Sequence, residues 1–193
     1  MSSTVSAAPA PAKETRGAPW LLLPLVLGVL VSLAVGLLAR SSAERGGFTS
    51  PAYKLFFSDT IHLKVWFAMA AVALACVQLF TAAWIFRKLP WPRPAWIPGV
   101  HRWSGRLAFV LTVPVAYHCI FKLGFQSGDD RVLAHSLLGC AFYGAFTAKV
   151  LVVRLHRFPG WVLPTAGGML FAVLVAVWYT SAVWFFRLAG VDL

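Results

Sequence analysis

The chain has 193 residues, 60% of them hydrophobic and 12% charged, with a formal net charge of +11. Soluble domains average roughly 45–50% apolar and about 25% charged residues, so a water-soluble fold is excluded and lipid is the expected solvent for most of this surface. The basic residues fall between apolar runs, not along one face, so they are read as topology signals, with no nucleic acid as partner.

Residues 1–18 are rich in Ala, Pro and Ser and lack apolar periodicity, which predicts a disordered cytoplasmic tail. The remainder, 19–189, is predicted as one all-α domain, an integral membrane bundle of five transmembrane helices. The first apolar run, Trp20–Leu38, is too long for a signal-peptide core and has no clean A-x-A site after it, so it reads as an uncleaved span. Further runs lie at about 61–86, 104–124, 132–153 and 162–186.

The connections carry helix-ending residues. Residues 41–60 form the longest, where Tyr53, Phe56 and Phe57 suggest a short interfacial amphipathic helix. Pro90, Pro92, Pro94 and Pro98 crowd the second connection, Ser127-Gly128-Asp129-Asp130 marks the third, and Pro159-Gly160 marks the fourth.

Lys and Arg placement predicts orientation. Arg87, Lys88, Arg93, Arg102 and Arg106 flank the second connection without an acid, and Arg154 and Arg157 flank the fourth. The positive-inside rule then places the N-terminus in the cytoplasm and the C-terminus outside, in a plasma membrane. Trp20, Trp84, Trp91, Trp96, Trp103 and Trp161 fall near the same inner interface, as an aromatic belt would. Cys76, Cys119 and Cys140 lie within apolar runs and form no CxxC, so they read as packed residues.

Five histidines stand out: His62, His101, His118, His135 and His156. Topology puts His62, His118 and His135 toward the outer face and His101 and His156 toward the cytoplasm. His118 lies about a turn or two before the outer end of the third span and His135 about one turn inside the fourth, so a short loop brings them to similar depth on neighbouring helices. Ionisable groups inside spans are costly and mark functional interiors. Paired imidazoles on facing helices are the arrangement that ligates a haem iron. The pattern H-x-x-x-G occurs twice, at His101 with Gly105 and at His135 with Gly139, which puts each Gly on the face of its His and leaves room for a flat ring. The plainer reading is that Gly packs membrane helices together. His62 also reads as an interfacial residue, His101 as a helix start and His156 as a basic loop residue.

The segments His101-Arg-Trp-Ser-Gly-Arg-Leu and His135-Ser-Leu-Leu-Gly resemble the H-x-W-L-G and H-x-x-L-G helix starts of the cytochrome b561 family. The first is also similar to the H-R-W-x-G-R segment of ferric-reductase-like membrane domains. Val115-Ala-Tyr-His-Cys119 and Gly139-Cys-Ala-Phe-Tyr-Gly-Ala-Phe146 resemble more closely an uncharacterised family of bacterial multi-pass proteins. The cytochrome likeness covers spans two to four and implies haem b held by histidines, with His101 and His135 at ligand positions and His62 matching a third. Span one lacks a histidine and His118 is additional, so the pattern departs from a two-haem arrangement.

The favoured expectation is one haem near the outer face, its iron held by His118 and His135, with His62 in place of His118 as the alternative. An inner haem would need His101 with His156. Arg102 and Arg106, or Lys122 and Arg131, would meet propionates, or simply anchor the helices at the interface. Pro114 is expected to bend span three before His118, and Gln78 to hydrogen-bond a neighbouring helix. Tyr117, Tyr143 and Thr147 are candidates for a quinone pocket.

The expected function is therefore electron transfer between a membrane quinol or cytoplasmic donor and an outer redox partner. A non-catalytic membrane anchor or assembly subunit is the alternative. A small transporter or proton-coupled channel is a third, weakened because no Asp or Glu lies in any span. P-loop, dinucleotide-binding, HExxH and G-x-S-x-G motifs are absent, and no loop is long enough to fold as a catalytic domain.

Overall fold

The computed structural model describes residues 19–44, 53–155 and 158–189. The expected N-terminal tail, 1–18, and His156 lie outside these residues. Among the described residues the chain is all-helical, with five helices long and apolar enough to cross a membrane. They are α1 (Pro19–Glu44), α2 (Thr60–Ile85), α3 (Ile97–Leu123), α4 (Asp130–Leu155) and α5 (Val162–Leu188). Helix is the form that satisfies each backbone N–H and C=O within its own segment, which hydrocarbon demands. A 26-residue helix such as α4 is ~39 Å long, more than the apolar core requires.

The helices overrun the apolar runs. α1 continues to Glu44 and α3 begins at Ile97, seven residues before the expected start. Hydropathy marks the part of a helix that lies in hydrocarbon, whereas hydrogen bonding continues into the interface. Pro98 stands in the first turn of α3, where its missing N–H costs nothing. Asp59 caps α2 by accepting from the His62 backbone N–H at 2.8 Å, and Asp129 accepts from Val132 N–H at 2.9 Å at the start of α4.

The expected amphipathic helix does not form over the described part of the first connection. Residues 53–59 make turns, with Phe57 N–H bonded to Lys54 O and Leu55 at φ 51°. A positive φ at Leu55 is incompatible with a helical run.

Around the bundle, α1 packs on α4, α4 on α5, α5 on α2 and α2 on α3, and the last turns of α3 return to α1. At α1–α4, Gly28, Ser32 and Gly36 form a small-residue stripe against Cys140, Gly144 and Ala148. A Cβ on Gly28 would stand 2.8 Å from the Gly144 carbonyl oxygen, so both glycines are needed for this approach. The other face of α1 presents Leu25, Val26, Val29, Leu33 and Leu37, all more than half exposed and suited to lipid.

Where α1, α3 and α5 finish and α2 and α4 begin, here the distal end, two helices widen. α3 passes through Pro114 and becomes π-helical over His118–Leu123, and α5 does so over Tyr179–Val183. Pro114 has no N–H to donate to the preceding turn, a recognised cause of such local irregularity. Gly124 then ends α3 at φ 70°, so close to α1 that a Cβ would stand 2.9 Å from Ala39 O.

Candidate functional site

A cavity of about 340 Å³ opens between the helices at the distal end. Each helix lends one face to it. From α4 come Arg131, His135, Gly139 and Tyr143, spaced four residues apart. From α2 come Lys64, Ala68 and Ala71, and both π-helical stretches contribute, through Cys119 and Thr180 among others. π-Helical turns are often found at functional sites because the extra residue redirects side chains. Deeper in, the Tyr143 hydroxyl donates to Thr112 O at 3.2 Å, and Phe109 stacks on Phe146 at 4.1 Å, linking α3 to α4.

His135 lines this cavity, and its Nδ1 lies 3.1 Å from Thr180 Oγ1. The Thr180 hydroxyl donates to Ala176 O at 2.9 Å, so toward His135 it accepts. Nδ1 therefore carries the proton, and in the neutral ring Nε2 keeps its lone pair. Four residues on, nothing lies within 4 Å of a Cβ placed on Gly139, so the cavity face beside His135 is open.

His118 is placed differently. It is 2% exposed and is not among the residues lining the cavity. Its Nε2 donates to Tyr53 O at 3.0 Å, and the Tyr53 ring packs over the imidazole at 4.7 Å. The structure thus does not bring His118 and His135 into one shared space. The connection before α2, whose path hydropathy does not reveal, takes the Nε2 of His118.

Residues 21–193 match the family described as Family of unknown function (DUF6529). The chain belongs to that family. No curated protein matches the chain, and no solved structure does. Membership in DUF6529 accords with the likeness to an uncharacterised family and brings no activity with it, so the resemblance to haem b domains stands on the short motifs alone.

The remaining candidates of this DUF6529 chain separate by end. At the distal end, His62 heads α2 with Nδ1 2.7 Å from Asp59 Oδ2. The carboxylate can only accept, so Nδ1 carries a proton, and the ring packs edge-on against Phe185, a cavity-wall residue, at 5.7 Å. Arg131 also lines the cavity, donating from Nη1 to Thr180 O at 2.9 Å with its guanidinium 4.0 Å over Trp184. At the opposite end, His101 lies within α3 and not at its cap, and Nδ1 meets Thr81 Oγ1 of α2 at 2.8 Å.

The two H-x-x-x-G patterns have different surroundings. A Cβ on Gly105 would stand 2.9 Å from Gln78 Oε1, so that glycine admits the Gln78 side chain and leaves no slot for a ring. Gln78 donates to Ser104 Oγ at 2.8 Å and to His101 O, the cross-helix bond expected of it. Among the described residues, no group of three or more His, Cys, Asp and Glu side chains could hold a bare metal ion. The three cysteines are free.

Proposed function

We propose that the chain is a haem b-binding electron-transfer subunit of a bacterial plasma membrane, with its N-terminus in the cytoplasm and the distal cavity toward the outer face. The observation that carries this reading is His135, which borders the cavity with Nδ1 held at Thr180, an arrangement that in the neutral ring leaves Nε2 its lone pair. A hydrogen bond that fixes the second ring nitrogen is the usual support for a metal-ligating histidine. His62 does not line the cavity but packs against its wall residue Phe185 with Nδ1 held by Asp59, whereas His118 is buried beneath Tyr53.

The cavity residues fit a haem held by His135, and His62, whose ring packs on the cavity-wall residue Phe185, ranks ahead of the fully buried His118 as the second histidine. Gly139 leaves space beside the ligand, and Lys64 and Arg131 supply positive charge in the cavity wall. When bound, haem b supplies a one-electron couple. The protein's own part is to hold the imidazole, exclude water with apolar walls and balance acidic groups. A membrane quinol and an outer redox protein are the partners this reading calls for, and Tyr143 in the cavity wall is the residue best placed to meet a quinone.

The test is the reduced-minus-oxidised spectrum of detergent-purified protein. A sharp α band and a Soret peak are expected, lost in His135→Ala, weakened in His62→Ala and kept in His118→Ala. A flat wild-type spectrum after expression with ample haem overturns the reading.

A specific observation favours a second reading, a non-catalytic anchor or assembly subunit. His62, His101 and His118 all make hydrogen bonds within the chain that a structural role would explain. Colourless protein that co-purifies with a larger complex would establish it.

A further inference from the structure

Lys64 lies one turn inside α2, on the face that carries Ala68 and Ala71 into the cavity. It is two residues from Trp66, which is 53% exposed and so points away from the bundle. A lysine that serves only as an interfacial anchor turns to the lipid face or the headgroups. This one faces the interior, beside a wall that also holds Arg131.

No Asp or Glu lines the cavity. The ion pairs among the described residues join Arg40 to Glu44, His62 to Asp59 and, at 4.0 Å, Arg131 to Asp129, and none includes Lys64. Placing two cations against an apolar space without an internal counter-charge is costly, and such groups in membrane proteins mark the path or site of a ligand. Below the cations the walls are mainly apolar and aromatic, with Val115, Leu174, Val177 and Phe142 among them. A volume of about 340 Å³ is at the small end for ligand sites, enough for a flat body or a single chain.

We infer that the distal cavity recognises a carboxylate carried on an apolar body, with Lys64 and Arg131 binding the acid group and the helix faces below them enclosing the rest. Two sources offer this chemistry, the propionates of a haem and a free long-chain acid from the membrane. The inference rests on the cations and the missing acids, so it stands apart from the ligation of iron by His135.

The experiment uses full-length, delipidated protein in a neutral detergent. Binding of cis-parinaric acid and its methyl ester is followed by fluorescence, and binding of haemin and its dimethyl ester by absorbance. A charge-assisted contact predicts that acid binds about tenfold more tightly than ester. Lys64→Met should bring acid down to the level of ester while ester binding persists, which shows the cavity still folded, and Lys64→Arg should restore the preference.

Preference for parinaric acid without haemin binding identifies a membrane acid, supports the carboxylate site and removes the haem reading. Preference for haemin alone identifies the propionates and supports both. Equal binding of acid and ester, or no binding of any of the four probes, overturns the inference.

Discussion

The backbone carbonyl of Tyr53 lies 3.0 Å from Nε2 of His118, so the connection between α1 and α2 is fastened to the distal end of α3. The Tyr53 ring also covers the imidazole. His118→Ala should free the segment around residues 53–59 and cost about 1–3 kcal/mol, the usual penalty for orphaning a buried partner. Limited proteolysis should show faster cleavage in that segment. Loss of haem or carboxylate binding in this variant, with the fold intact, would contradict the assignment of His118 to structure.

Thr180 is expected to matter through His135. Thr180→Val keeps the shape of the side chain and removes the acceptor that fixes Nδ1–H. Loss of such a supporting hydrogen bond typically weakens metal affinity about 10–100-fold. Haem titration of apo-protein should show a drop of this order in Thr180→Val, with Thr180→Ser close to wild type.

Gly139 and Gly144 lie on one helix and should respond oppositely to alanine. A Cβ on Gly144 would collide with Ser32 Oγ and the Gly28 carbonyl, so Gly144→Ala should destabilise the α1–α4 contact by about 1–3 kcal/mol. Gly139 has nothing within 4 Å of its added Cβ, and Gly139→Ala should be neutral or gain up to about 1 kcal/mol of helix propensity. Thermal unfolding in detergent compares the two.

Gly124→Ala should be more damaging than a surface substitution. It forces a side chain into φ 70° and against the Ala39 carbonyl and Ala43. A loss of about 2 kcal/mol or more is expected from the combined strain and overlap. Unfolding temperatures of Gly124→Ala and Gly128→Ala, the latter with open space around it, provide the contrast.

The cap of α2 gives a pH dependence. The His62 backbone N–H, then its side chain, hold the Asp59 carboxyl below its usual range. A depressed folded value means that the stabilisation is complete above the unfolded value, near ~4, and fades as pH falls through the lowered folded value. The difference in unfolding temperature between wild type and Asp59→Ala should therefore hold constant near neutral pH and shrink below about pH 4. A difference that grows on acidification would refute the cap.

Five helices long and apolar enough to cross a membrane were legible in the sequence, because span length, apolar content and helix-ending residues are local properties that lipid enforces on each segment separately. The sequence also marked Gln78 as a cross-helix hydrogen-bonding residue and placed His62, His118 and His135 toward one end. What each polar group faces follows from the packing of the helices. Gly105 and Gly139 follow the same H-x-x-x-G pattern, yet α2 presents Gln78 to the first and no helix presents anything to the second. His118 and His135 lie at the same end of the bundle, yet Tyr53 claims one and Thr180 orients the other. Depth follows from position along the chain. The direction a side chain takes depends on how each helix turns about its axis and which neighbour packs against it, and both are set by contacts between residues far apart in sequence.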